Sequence, residues 1–127
     1  MQYPKHARLC IHIPNGGLRS KREAKTLKSL GVVAGMPDIF IAVPRSETSQ
    51  TILFTPRGPQ SKLIEHHKHG LFIEFKRKIV AGQPKPRVDT VQKEMIELLA
   101  QKGYEAIVCY GFDEARVVAL EYMRGTR

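Results

Sequence analysis

Leu71-Phe72-Ile73-Glu74-Phe75-Lys76 reads as a strand with an acid and a base set into it. Side chains alternate faces along a strand, so Glu74 and Lys76 share one face while Ile73 and Phe75 share the other. A carboxylate beside an ammonium group at a strand end is either a satisfied ion pair or half of an active site. A second acid bears on the choice. Asp38, in Gly35-Met36-Pro37-Asp38, opens another apolar stretch, Ile39-Phe40-Ile41-Ala42-Val43.

Two carboxylates converging from neighbouring strands suit a definite chemistry. Cleaving a phosphodiester needs a water made nucleophilic near neutral pH and a home for charge building on phosphate oxygens. A hard divalent cation supplies both, and Mg²⁺ binds through a few carboxylates plus water and substrate oxygens. A nearby lysine then orients the water or offsets transition-state charge. Glu-Phe-Lys alone is a weak signal, since an exposed Glu/Lys pair on a strand face is common.

Outward from this strand, the N-terminal side offers residues 7–13 as a first strand, ended by the turn cluster Pro14-Asn15-Gly16-Gly17. Cys10 and Cys109 both lie in apolar strand-like contexts and read as buried thiols; His12 reads as half-buried. Ser20 and Glu23 make a capping box for a helix with an apolar stripe of Ala24, Leu27 and Leu30, stopped by Gly31. Arg19, Lys21, Arg22, Lys25 and Lys28 crowd its other side, as a solvated face or as phosphate contacts. Residues 45–69 read as an insertion or flexible loop, with Thr51–Thr55 as a short strand inside it. Its histidines, His66, His67 and His69, lack the cysteines or regular spacing of a zinc site.

Beyond Lys76, a basic and proline-stiffened loop leads to Asp89, the N-cap of a helix running to about Lys102. Val91, Met95, Leu98 and Leu99 are its expected buried stripe, and Gln92 stands where a capping box would place it. Tyr104–Tyr110 is a last strand, followed by a helix from Glu114 to about Arg124 that packs through Ala115, Val118 and Met123. This order predicts one domain over 1–127, an α/β fold with a mixed β-sheet flanked by helices.

Composition narrows the partner. With 127 residues and 42% hydrophobic content the chain supports one real core. A net charge of +9 points to a polyanion, nucleic acid first. No apolar run approaches the length of a membrane span, and no long amphipathic helix carries the charge beside an exposed aromatic face. With no signal-peptide pattern at Met1–His6, a cytoplasmic location is expected.

Pro37-Asp38, a connection, then Glu74-Phe75-Lys76 is the order seen in the PD-(D/E)XK nucleases, and the wording around it resembles the virus-type replication-repair nuclease (VRR-NUC) domain. The resemblance begins at His12-Ile13-Pro14-Asn15-Gly16-Gly17 and runs to Gly125. It implies a restriction-endonuclease-like core and an Mg²⁺- or Mn²⁺-dependent endonuclease for branched DNA, paired as a homodimer in the manner of junction resolvases. The metal ligands would be Asp38, Glu74 and the Phe75 carbonyl. Lys76 would act on the water, and Gln92 would face the site from its helix. Asn15, Arg19, Lys21, Arg22, Arg77 and Lys78 are the expected DNA contacts, and Ile52, Leu53 and Phe54 a candidate dimer surface. In one respect the sequence departs from the family, whose domains often begin with a further helix bearing Glu and Gln; Glu23 is the candidate replacement. Two other readings stay open: a basic nucleic-acid-binding module without chemistry, and a restriction-type nuclease of the same superfamily.

Overall fold

Leu71–Lys76 (β5) lies inside a four-stranded sheet, hydrogen-bonded on both edges. A computed structural model describes residues 4–14 and 21–124, with the backbone alone for Lys21, Ala24, Leu27 and Lys28. A 3₁₀ helix, Pro4–Leu9, leads into β1 (Cys10–His12) and α1 (Lys21–Ser29) follows. Next come β2 (Ile39–Ile41), β3 (Arg45–Thr55) and β4 (Gly58–Lys68). After β5, the chain forms α2 (Thr90–Gln101), β6 (Glu105–Tyr110) and α3 (Phe112–Arg124).

The sheet order is β1-β2-β5-β6, with β1/β2 and β2/β5 antiparallel and β5/β6 parallel. Parallel neighbours need a crossover, and α2 supplies it between β5 and β6. The expected mixed sheet flanked by helices is thus the observed fold. Strands covered on both faces read as continuous apolar runs. Leu71, Phe72 and Ile73 satisfy that rule, each fully or almost fully buried.

One face of the sheet carries the main core: Ile41, Val43, Leu71, Ile73 and Cys109, met by Ala115, Tyr122 and Met123 of α3. The Tyr122 hydroxyl donates to the Val43 carbonyl at 2.7 Å, so its burial leaves no unmade bond. Burial pushes this phenol up to about 12 and the Cys109 thiol up to about 11, which makes both inert at neutral pH. On the other face Phe40 stacks on Phe72 with centroids 4.3 Å apart, and Tyr104 meets both edge-on.

Several local expectations change. Cys10 is exposed rather than buried, and His12 is exposed too, because β1 is only three residues long and sits at the sheet edge. The N-terminal part of the expected first strand is instead 3₁₀ helix. In α2 the half-buried apolar residues are Met95, Ile96 and Leu99, while Val91 and Leu98 are exposed. Leu30 is exposed just past α1, and the expected N-cap Ser20 lies outside the described residues.

The largest correction concerns 45–69. Instead of a flexible loop with a short strand, β3 and β4 form a regular antiparallel hairpin of 11-residue strands, paired from Arg45↔Lys68 to Thr55↔Gly58. Pro56 starts its turn and Gly58, at φ 101°, closes it. At the base, Arg45 pairs with Glu47, bonds the Glu121 carbonyl at 3.3 Å, and lies over the Tyr122 ring. At the far end Phe54 is 86% exposed, with Ile52, Leu53 and Leu63 also exposed. The expectation that Ile52, Leu53 and Phe54 escape the core therefore holds.

Candidate active site

Strand pairing sets the first two groups. The β2/β5 register pairs Ile39 with Ile73. Continued one step, it sets Asp38 across from Glu74, and cross-strand partners share a face. A further step sets Pro37 across from Phe75. Proline has no N–H to offer the Phe75 carbonyl. The Phe75 N–H is taken at 2.8 Å by Asp38 Oδ2, which pins that carboxylate beside the strand. On its other side the Asp38 carbonyl accepts from the Ile13 N–H at 2.7 Å, so the acid is held from both neighbouring strands.

Glu74 is 3% exposed, an acid where the apolar run would otherwise continue. Its Oε1 accepts from Gln92 Nε2 at 2.7 Å and lies 3.4 Å from Lys76 Nζ. Its Oε2 is buried and has no hydrogen-bond partner among the described residues. Desolvation, reinforced by the Asp38 charge, holds the Glu74 carboxyl above its ordinary range, against the opposing pull of Lys76. A buried carboxylate oxygen without a donor, facing a second carboxylate, is short of positive charge. That donor set fits a hard divalent cation held by two acids and a main-chain carbonyl, with water completing its shell. Among the described residues no group of three or more His, Cys, Asp or Glu converges on one point.

Gln92 resolves two readings into one. Its Oε1 accepts from the Asp89 N–H at 3.0 Å, the capping-box bond, and from Lys76 Nζ at 2.9 Å. Its amide nitrogen holds Glu74. The same side chain therefore caps α2 and ties the lysine to the buried acid. Gly35 sets the distance between Asp38 and this helix. At φ 83°, a Cβ there would sit 2.7 Å from Val91 Cγ1 and 2.8 Å from the Val91 carbonyl oxygen. Gly35 thus permits a close approach to the first turn of α2.

A solved structure described as a VRR_NUC domain protein matches this fold with a TM-score of 0.63 and 28% identity, over 94% of this chain and 70% of that one. The chain is similar to a VRR-NUC domain. The likeness supports a nuclease-domain family for the chain. No protein-family model and no curated protein matches the sequence.

Within the VRR-NUC-like domain, Asp38, Glu74, Phe75, Lys76 and Gln92 are thus brought together. The expected DNA contacts are more scattered. Asn15 and Arg19 lie outside the described residues, as does the side chain of Lys21. Arg22 is exposed on α1, and Glu23 is exposed beside it. Arg77 is engaged within its own loop, donating to Gln83 Oε1 at 3.3 Å and the Pro84 carbonyl at 3.0 Å. Lys78 is exposed, with its stem against Gly111. Lys85, outside the expected contacts, lies 4.7 Å over the Tyr110 ring. Among the described residues no helix is long and apolar enough to cross a membrane.

The raised Glu74 carboxyl has a consequence for stability. Between the ordinary carboxylate range and the raised value, the native state binds more protons than the unfolded chain. Stability therefore falls as pH rises through that window. In chelator, Glu74→Gln should be more stable than the parent at pH 7–8, with the gap closing as pH drops through the carboxylate range. Urea denaturation of both proteins over pH 4–8 checks it. If the two acids hold a divalent cation, added Mg²⁺ or Mn²⁺ should stabilise the parent alone, by about 2.7 kcal/mol at a hundredfold excess over Kd.

Proposed function

We infer that this chain is an Mg²⁺- or Mn²⁺-dependent endodeoxyribonuclease that cuts branched DNA inside the cell. The observation that carries the reading is the paired Asp38 and Glu74 carboxylates, with the buried Glu74 Oε2 left unpartnered while Oε1 lies near Lys76. Asp38, Glu74 and the Phe75 carbonyl would hold the cation. When bound, such an ion supplies an activated water and a sink for charge on the scissile phosphate.

The chain's own groups do the positioning. Lys76 Nζ, fixed by Gln92 at 2.9 Å, presents its remaining N–H donors toward the attacking water and the phosphate oxygens. Gln92 keeps that ammonium beside Glu74 rather than letting it swing into solvent. The net charge of +9 draws the substrate to the domain.

The reading includes a homodimer, which places two sites on opposed strands of a junction. Support comes from the β3–β4 hairpin: two-stranded ribbons are marginal alone in water, and this one exposes Ile52, Leu53, Phe54 and Leu63. The test is a cleavage panel of four-way junction, fork and linear duplex with each metal and with chelator, beside sedimentation at micromolar concentration. Metal-dependent cutting that favours branched DNA, from a dimer, is expected. Equal cutting of linear duplex by a monomer would overturn the junction assignment, and no cutting with any metal would overturn the nuclease one.

A further inference from the structure

Residues 77–88 leave β5 directly after Lys76 and return to α2 at Asp89. Both ends are pinned to one atom, because Lys76 Nζ and the Asp89 N–H each bond Gln92 Oε1. The loop between them is internally built. The Gln83 N–H bonds the Val80 carbonyl at 3.1 Å, Arg77 clamps Gln83 and Pro84, and Gly82 takes φ 81°. Compact loops with joined ends and their own internal bonds are frequent carriers of function.

Just ahead of the turn at Ala81-Gly82 stand two adjacent branched aliphatics, Ile79 at 47% and Val80 at 46% exposure. The turn's own needs are met by Ala81 and Gly82, so they do not account for an exposed β-branched pair beside it. Around them the loop carries Arg77, Lys78, Lys85 and Arg87 and no acid between Glu74 and Asp89. An exposed apolar pair within a basic loop suits a partner that offers phosphates and an apolar stacked surface a few ångströms apart. An exposed base step in DNA offers that combination. Lipid would require a broader apolar face, and an acidic protein would give the paired aliphatics no defined seat.

We propose that the 77–88 loop recognises the branch point, with Ile79 and Val80 pressed against the base pair exposed where strands part and Lys78, Lys85 and Arg87 on the flanking phosphates. This rests on the nuclease reading of the adjoining site and names what selects its substrate. In continuous duplex the wedge must unstack a step, whereas at a branch the step is already open. The loop's two anchors on Gln92 then place the branch at a set distance from the Asp38–Glu74 pair.

The test uses the full chain with 2-aminopurine beside the branch of a fork, and the same base in a linear duplex. Binding is read in chelator and cleavage in Mg²⁺ or Mn²⁺. The parent should raise 2-aminopurine fluorescence on the fork. Ile79→Ser with Val80→Ser should abolish that rise and lower the fork-over-duplex cleavage preference about tenfold. Ile79→Leu with Val80→Leu, which keeps the pair apolar, should retain both. An unchanged signal and preference in the serine variant overturn the proposal, as does a change confined to self-association. If the parent cuts nothing but the fluorescence pattern holds, the nuclease reading fails and branch recognition stands.

Discussion

Asp38→Ala and Glu74→Ala should each remove DNA cleavage, by about 10³-fold or more, while DNA affinity should stay similar or rise slightly. The magnitude follows from losing a cation worth several kcal/mol of transition-state stabilisation, at about 1.4 kcal/mol per decade of rate. The small gain in affinity follows from taking a negative charge away from phosphate. The two variants should differ in stability. Ala at 74 relieves a buried, undersatisfied carboxylate but strips Gln92 Nε2 of its acceptor, whereas Ala at 38 frees the Phe75 N–H. Single-turnover cleavage in saturating Mg²⁺, paired with filter binding and circular dichroism, separates chemistry from folding. Cutting at the parental rate by either variant removes that residue from the site.

Lys76→Met gives the second large effect. The thioether side chain keeps the apolar stem but loses the charge and the donors, so cleavage should drop about 10²- to 10³-fold, the range for removing one preorganised donor. A second signature distinguishes this from a general loss of structure. Lys76 is the group that pulls the Glu74 carboxyl down, against burial and Asp38. Without it that carboxyl rises further, so the pH window over which the metal-free protein loses stability should extend upward. Denaturation profiles in chelator measure this shift without any reaction. A Lys76→Met protein with the parental pH profile would place the ammonium elsewhere than beside Glu74.

The sheet was legible because its central strand β5 opens as a continuous apolar run. Leu71-Phe72-Ile73 announces a strand buried on both sides, and the break in that run at Glu74 announces the site. The juxtaposition of Asp38, Glu74, Lys76 and Gln92 followed from two strand ends and one helix start. The hairpin was hidden for the opposite reason. Ser46-Glu47-Thr48-Ser49-Gln50 is polar on both faces, so no period-two apolar signal exists there, and the ladder is carried by backbone pairing and links such as Ser46–His67 and Ser49–His66. Cys10 and Val91 were misjudged on a different ground: apolar identity predicts burial only when a covering element exists, and both lie where the cover ends. Arg77 looked like a phosphate contact by charge, yet its guanidinium closes its own loop.

The shared oxygen of Gln92 turns a backbone proton into a reporter. Oε1 divides its accepting capacity between the Lys76 ammonium and the Asp89 amide. Whatever draws the ammonium away leaves the amide as sole claimant, shortening that bond and slowing its solvent exchange. The nitrogen and proton resonances of Asp89 thereby register events at the carboxylate pair, although Asp89 is separated from it by the whole intervening loop. A titration with cation or DNA can be followed at that single peak, and a substitution that silences it without unfolding α2 marks a group wired to the lysine.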